Sequence, residues 1–336
     1  MAADKFSVPV IDLVNYLPME MKRLAAAVTE FGCFRVINHG IPTTLIADIR
    51  ATVRSLFQKP VEVKLRSTEK IISGTGYVAT NAQPDMTQFF ESFGIYDAAS
   101  YEDVQTFCSL LNASPSQREI ISEYASKLHS LSMDIASKIS DCLGVVDFSF
   151  QEWHGLLSLH NYKFTKESLG SVAAVAHTDS SFVTIIQEDG NVGGLEIIGS
   201  TGNFETIDPV SDSFFIIVGD MGTFRFLIAS VVIELVCRHQ ARLSSSSSSV
   251  IIELVCLPSR FVSRSRSIRL RNRHPELVRH QEPPSKTNIP SSSAIASIVI
   301  ELAVASPVIL SFSAAQNQRS EIRQALDELC RRYPLP

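Results

Sequence analysis

His177 and Asp179 stand two positions apart in "VAHTDSSFVTII" (Val175 to Ile186), at the mouth of an apolar run. On an extended chain residues i and i+2 point to one side, so this pair can offer an imidazole nitrogen and a carboxylate oxygen to a single ion. Two histidines and one carboxylate on one face of an octahedron, with the remaining positions open, form the donor set of a non-haem Fe(II) oxygenase. The second histidine has to come from far along the chain. His239 follows His177 by 62 residues, but its surroundings, "VCRHQAR", are not those of a strand, and His274 and His280 lie in an arginine-rich stretch. The plainer reading of the same residues is a surface His and Asp at a strand end, with solvated histidines elsewhere.

The elements that would carry the pair begin near Leu156. "LSLHNYKF", "SVAAVAH", "SFVTIIQE", "GGLEII", "NFETI" and "SFFIIVGD" are short β-rich runs separated by Gly, Asp, Asn, Ser and Pro. Strands at near-regular spacing predict a sandwich or barrel, here a jelly roll. Upstream the period is helical. Met21, Leu24, Val28 and Phe31 recur on one face of "LPMEMKRLAAAVTEFG", closed by Gly32, and "CFRVINHG" reads as a strand ending in a turn. "TTLIADIRATVRSLFQKP" reads as a helix halted before Pro60. A longer helix opens at Ser114, an N-cap followed by Pro115 and by Gln117 of a capping box; Ile121, Tyr124, Leu128, Ile135 and Ile139 form its buried stripe, and Gly144 ends it.

Composition bounds the rest. A chain of 336 residues, 45% hydrophobic and 19% charged, can bury a full core, and its formal net charge of −5 gives no overall attraction to nucleic acid or anionic membrane. Six scattered cysteines with no C-x-x-C pair disfavour a zinc site and a disulfide framework. No leader pattern opens the chain and no 18 apolar residues run together, so a cytoplasmic protein without a membrane partner is expected. The charge is not evenly spread: residues 1–223 hold 15 Lys+Arg against 27 Asp+Glu, residues 224–336 hold 15 against 8. Beyond the boundary "SVVIELVC" (Ser230 to Cys237) recurs as "SVIIELVC" (Ser249 to Cys256) and "SIVIELA" (Ser297 to Ala303), with six serines from Ser244 to Ser249. The unequal spacing excludes a solenoid.

The surroundings of the His-x-Asp pair resemble the plant soluble 2-oxoglutarate/Fe(II)-dependent dioxygenases, and within them the auxin-oxidising branch. The stretches that carry the likeness are "VPVIDL", "FGCFRVINHGIP", "FFESFGIYDAAS", "TFCSLLNASPSQREI", "AHTDSSFVTIIQEDGNVGGLE" and "FETIDPVSDSFFIIVGDMGT", nearly continuous from Val8 to Thr223. The resemblance implies a jelly-roll (double-stranded β-helix) core behind a helical N-terminal part. It implies Fe(II) as the metal, with 2-oxoglutarate and O₂ as co-substrates; the co-substrate is decarboxylated to succinate and CO₂ while an unactivated C–H bond is hydroxylated. The substrate would be a small molecule, indole-3-acetic acid or a similar hydrophobic acid, and a monomer is expected.

Carried over residue by residue, the resemblance makes His177 and Asp179 the first two iron ligands. It makes Tyr162 in "HNYKF" a partner of the 2-oxoglutarate carboxylate, against the reading of an ordinary strand aromatic. Gly193 and Gly194 fall in a turn between core strands, and His39 is a packing or turn residue. After Thr223 the pattern breaks. "RFLIAS" places Arg225 where the family grips 2-oxoglutarate, but Leu227 replaces a serine and the segment bearing the distal histidine is missing. The expected organisation is therefore an N-terminal region over 1–110, a linking helix over 111–150 and a truncated jelly-roll core over 151–230. An irregular Ser/Arg-rich stretch over 231–319 and a C-terminal helix over 320–333 follow. Two other readings stand beside the enzyme: a non-catalytic remnant, or a partner-binding basic tail. For the tail, seven arginines between Arg260 and Arg279 could meet nucleic acid or an acidic partner. With Phe261 the lone interleaved aromatic, a partnerless tail is the simpler account.

Overall fold

The computed structural model describes residues 7–67, 75–80, 82, 89–144, 150, 153–164, 167–189, 192–199, 202–223, 268–271 and 295–305. In chain order the elements are β1 (Val10–Asp12), α1 (Pro18–Ala26), β2 (Cys33–Ile37), α2 (Thr43–Phe57), α3 (Val61–Lys64), β3 (Gly76–Val78), β4 (Phe90–Ile95), α4 (Tyr101–Leu110) and α5 (Pro115–Cys142). There follow β5 (His154–Phe164), β6 (Val172–His177), β7 (Val183–Gln187), β8 (Leu195–Ile198), β9 (Phe204–Thr206), β10 (Phe214–Val218), β11 (Ile268–Arg271) and β12 (Ile295–Ala305).

The helical part forms where local chemistry asks for it. Ser114 Oγ accepts from the Gln117 amide while Gln117 Oε1 accepts from the Ser114 amide, so two donors that the helix cannot satisfy internally are met reciprocally at the start of α5. Ser100 caps α4 with one bond, its Oγ accepting from the Asp103 amide. α1 runs on into a π-helical turn, Ala27–Phe31, and Gly32 ends it in the left-handed region at φ 68° with its amide on Ala27 O. Leu24 and Val28 are buried on that face; Met21, expected there, is exposed.

The strands form two sheets, an eight-stranded one in the order β1-β2-β10-β7-β12-β5-β4-β3 and a four-stranded one in the order β6-β11-β8-β9. Successive residues of a strand face opposite sides, and here each side of the large sheet has its own cover. Phe214, Ile216, Val218, Val183, Ile185, Leu157 and Leu159 pack with α1, α2, α4 and α5 in one cluster. Phe215, Ile217, Ile186, Tyr162 and Cys33 pack against Ala173, Leu195 and Ile197 of the small sheet in another. Burial on both sides is why "FFIIV" reads as an unbroken apolar run rather than an alternating one. This is a jelly-roll core with a helical layer on its outer face.

Beyond Thr223 the described residues hold two further strands: β11 seats between β6 and β8 and β12 between β5 and β7. The reason is physical: "IASIVIELAVA" is rich in β-branched residues, and two strand edges facing a gap each present unpaired amides and carbonyls that one inserted strand satisfies together. β12, which contains the third copy of the repeated motif, pairs along all of β5 from Ile295↔Phe164 to Ala305↔His154. Residues 320–333, where a C-terminal helix was expected, lie outside the described residues.

Candidate metal centre

His177 is the last residue of β6, and Thr178 to Phe182 connect it to β7. The pair thus straddles a strand end rather than lying within a strand, yet its side chains still converge: His177 Nε2 is 3.6 Å from Asp179 Oδ1. That separation is too long for a good hydrogen bond. It suits two donors bonded to one ion at roughly 2 Å each, the length that divalent first-row metals take with imidazole and carboxylate. The other ring nitrogen decides the tautomer. His177 Nδ1 lies 2.8 Å from the carbonyl oxygen of Val175, an atom that can only accept. In the neutral imidazole Nδ1 therefore carries the proton and Nε2 keeps its lone pair toward Asp179, the arrangement of a metal-ligating imidazole fixed by a backbone carbonyl. The His177 side chain is 48% exposed and that of Asp179 17%, so the donors open to an approaching ligand.

The turn that carries the pair is held from β10. Beyond Val218 the chain passes directly under the turn, with Gly219 N–H donating to Phe182 O at 3.0 Å, Asp220 N–H to Asp179 O at 2.7 Å and Met221 N–H to Ser181 O at 3.2 Å. Thr178, the residue between the two donors, gives its hydroxyl to Asp220 Oδ2 at 3.0 Å. A Cβ on Gly219 would overlap the Ser181 carbonyl, and one on Gly222 would come within 2.6 Å of Phe182 O, so only glycine allows this approach.

The strand beside His177 is β11. Ile268 is paired directly with His177, and β11 reads Ile-Arg-Leu-Arg, with no metal-binding side chain among its four residues. Among the described residues no group of three or more His, Cys, Asp or Glu could hold a metal ion. The residues present thus fit an iron-type ion through two donors, and the third protein ligand is not among those described. His239, the candidate by interval, and Arg225, the candidate for the co-substrate, lie outside the described residues.

Tyr162 sits on the inner face of β5, 6% exposed, in the cluster between the sheets. Its ring lies 5.0 Å from Phe90 and 5.9 Å from His160, in an aromatic row shared by β4 and β5. His39 packs edge-on to Phe214 at 4.5 Å and its Nδ1 accepts from Ile41 N–H, so it is a turn and packing residue, with burial pushing its pKa down. Gly194 has φ 142°.

Sequence reasoning passed over two features. For Asp220 the sequence signal is an acidic residue with glycines on both sides, at 219 and 222, right after a core strand. Glu91 is only 2% exposed and accepts from Lys64 at 2.6 Å, Lys163 at 2.6 Å, Tyr77 at 2.6 Å and Asn161 at 3.0 Å. Burial alone would raise its pKa, but these four donors overcome that and hold the carboxyl at about 2. No sequence signal marks it, because its partners come from α3, β3 and β5.

Comparison with known proteins decides the family. Residues 8–112 match the "non-haem dioxygenase in morphine synthesis N-terminal" family, and residues 153–253 match the 2OG-Fe(II) oxygenase superfamily. The chain is 42% identical over 204 residues, 60% of its length and 67% of the relative's, to the 2-oxoglutarate-dependent dioxygenase DAO of rice, Oryza sativa. The chain belongs to the 2-oxoglutarate/Fe(II)-dependent dioxygenases. As an oxygenase of this family it falls among the oxidoreductases that use Fe(II) and 2-oxoglutarate. Its fold is similar to that of dioxygenase for auxin oxidation 1 from Arabidopsis thaliana in a 2-oxoglutarate complex. The TM-score is 0.69 at 32% identity, covering 90% of this chain and 93% of that one. It is likewise similar to the rice dioxygenase for auxin oxidation, with TM-score 0.65 at 30% identity, covering 90% and 87%. No helix among the described residues is long and apolar enough to cross a membrane.

Proposed function

We propose that this dioxygenase oxidises a small hydrophobic acid of the indole-3-acetic acid type, with His177 and Asp179 holding the iron. The observation that carries the reading is the fixed tautomer: Nδ1 is committed to the Val175 carbonyl, so Nε2 meets Asp179 Oδ1 at 3.6 Å as a ready donor. The similarity to dioxygenases for auxin oxidation supports the substrate class. When bound, iron with 2-oxoglutarate and O₂ supplies an oxidant for a C–H bond. The chain's own residues do the rest: His177 and Asp179 bind, the Asp179 carboxylate offsets part of the metal's charge, and the apolar layer around Tyr162 and Phe90 keeps bulk water from the space between the sheets. Tyr162 and Arg225 are assigned to the 2-oxoglutarate carboxylate, and the protein works as a monomer in the cytoplasm.

The test is an anaerobic titration of the whole chain with Fe(II) and 2-oxoglutarate, followed by aerobic incubation with indole-3-acetic acid and mass spectrometry of the products. A visible charge-transfer band near one equivalent, with succinate and an oxygenated indole product in equal amounts, is the expected result. A band without an indole product would overturn the substrate, and no band would overturn the enzyme.

One observation favours a second reading, a family member without turnover. Ile268, not a histidine, stands beside His177, and no three-donor group occurs among the described residues. On this reading the distal histidine is lost with the segment missing after Thr223, and no band forms in the same titration. A role for the basic stretch 260–279 draws no support from β11, whose four residues are paired into the small sheet.

A further inference from the structure

We propose that Asp220 is a positioning residue for the metal pair, acting through Thr178. The inference rests on the metal reading of His177 and Asp179, and no ligand of the ion need come from Asp220 itself. The aim of two donors at i and i+2 in a turn is set by the backbone of the residue between them, and Thr178 is that residue. Its hydroxyl is tied to Asp220 Oδ2 at 3.0 Å, and the Asp220 amide is tied to the carbonyl of Asp179 at 2.7 Å. One residue thus holds both Thr178 and Asp179, the two residues that follow His177. A hydrogen bond to a charged acceptor is stronger than a neutral one, so the carboxylate is suited to fixing the Thr178 rotamer.

The surrounding backbone removes the alternatives. Gly219 and Met221 bond to Phe182 and Ser181, on the far side of the same turn. Gly219 and Gly222 leave no room for the two segments to slide, because each already sits against a carbonyl of the turn. On the near side, where the donors lie, the Thr178–Asp220 bond and the Asp220 amide on Asp179 O hold the turn. Other residues around the turn make different bonds: Ser181 Oγ is paired with Thr184 Oγ1 at 2.8 Å and takes no part.

Mn(II) binding to the whole chain, followed by electron paramagnetic resonance, tests this without turnover. Thr178→Val and Asp220→Ala should each weaken Mn(II) binding about tenfold, the scale of losses when a group that orients a metal ligand is removed. Thr178→Ser keeps the hydroxyl and Asp220→Asn keeps an acceptor oxygen, so both should stay within about threefold of the parent. The double variant Thr178→Val/Asp220→Ala should be no worse than either single one, because both break one interaction. A general structural role would instead lower the melting temperature of all four variants and make the two losses multiply. Equal binding by Thr178→Val and Thr178→Ser, or multiplying losses, overturns the proposal. If the parent chain binds no Mn(II), it is the metal reading that fails. Hydrogen exchange at the Asp220 amide then decides the clamp: faster exchange in Thr178→Val than in Thr178→Ser supports it, and equal exchange overturns it.

Discussion

Glu91 and the His177–Asp179 pair are both polar groups brought together from several elements, and they are finished in opposite ways. Glu91, on β4 of the large sheet, is buried and accepts from two lysines, a tyrosine and an asparagine. His177 and Asp179 lie at the open end of β6, 3.6 Å apart, with half of the imidazole in solvent. A group that the fold saturates with its own donors belongs to the fold. A pair spaced for a shared ion and turned outward belongs to a ligand. The difference says where a substitution should cost stability and where it should cost binding.

The largest effect is expected at Glu91. Replacing it by Ala removes the acceptor of Lys64, itself buried, and breaking a buried pair by removing one partner costs about 3–5 kcal/mol. Urea unfolding followed by circular dichroism should show that loss, while Mn(II) affinity in the folded fraction stays as in the parent. The same carboxylate sets the response to acid. Its pKa falls on folding, from the ordinary 4.5 to about 2, so its stabilisation is complete above 4.5 and disappears as pH falls from 4.5 through about 2. Glu91→Gln should therefore flatten the stability profile in that window, and an unchanged slope would move the acid response to another group.

At the open pair the expectation reverses. His177→Ala and Asp179→Ala should each weaken Mn(II) binding by more than about 100-fold, beyond the loss from a group that merely orients a ligand. The unfolding free energy of His177→Ala, the exposed member of the pair, should stay within about 0.5 kcal/mol of the parent. A large stability loss in His177→Ala would erase the distinction, making the pair a structural element like Glu91.

How far the sequence could be read follows the same division. The capping box at Ser114, the stop at Gly144 and the strand runs from β5 to β10 were legible because each is written within a few neighbouring residues. The His-x-Asp pair was legible for that reason too. Glu91 was not, since nothing local distinguishes a glutamate that will meet Lys64, Tyr77 and Lys163 across three elements. β12 was missed differently. Its motif "SIVIELA" is one of three near-copies with the same strand propensity, so nothing local says which of them meets the edges of β5 and β7. The place of β11, four residues in a basic stretch, rests wholly on the edges of β6 and β8.

β11 also supplies the sharpest way to separate the two readings of the pair. Ile268 is paired with His177 next to a shift in the β6–β11 register. Ile268→His places a second imidazole at that register position and tests whether it can reach an ion held by His177 and Asp179. It would complete a set of two imidazoles and one carboxylate. Adding one good ligand to a two-donor site should tighten Mn(II) binding by at least about tenfold, and the gain should vanish in the His177→Ala background because both act on one ion. If the parent chain already binds as tightly as Ile268→His, a donor from elsewhere in the chain occupies the third position. The isoleucine is then a bystander. If only the variant binds and forms the charge-transfer band with Fe(II) and 2-oxoglutarate, the pocket is otherwise intact and the parent lacks one side chain.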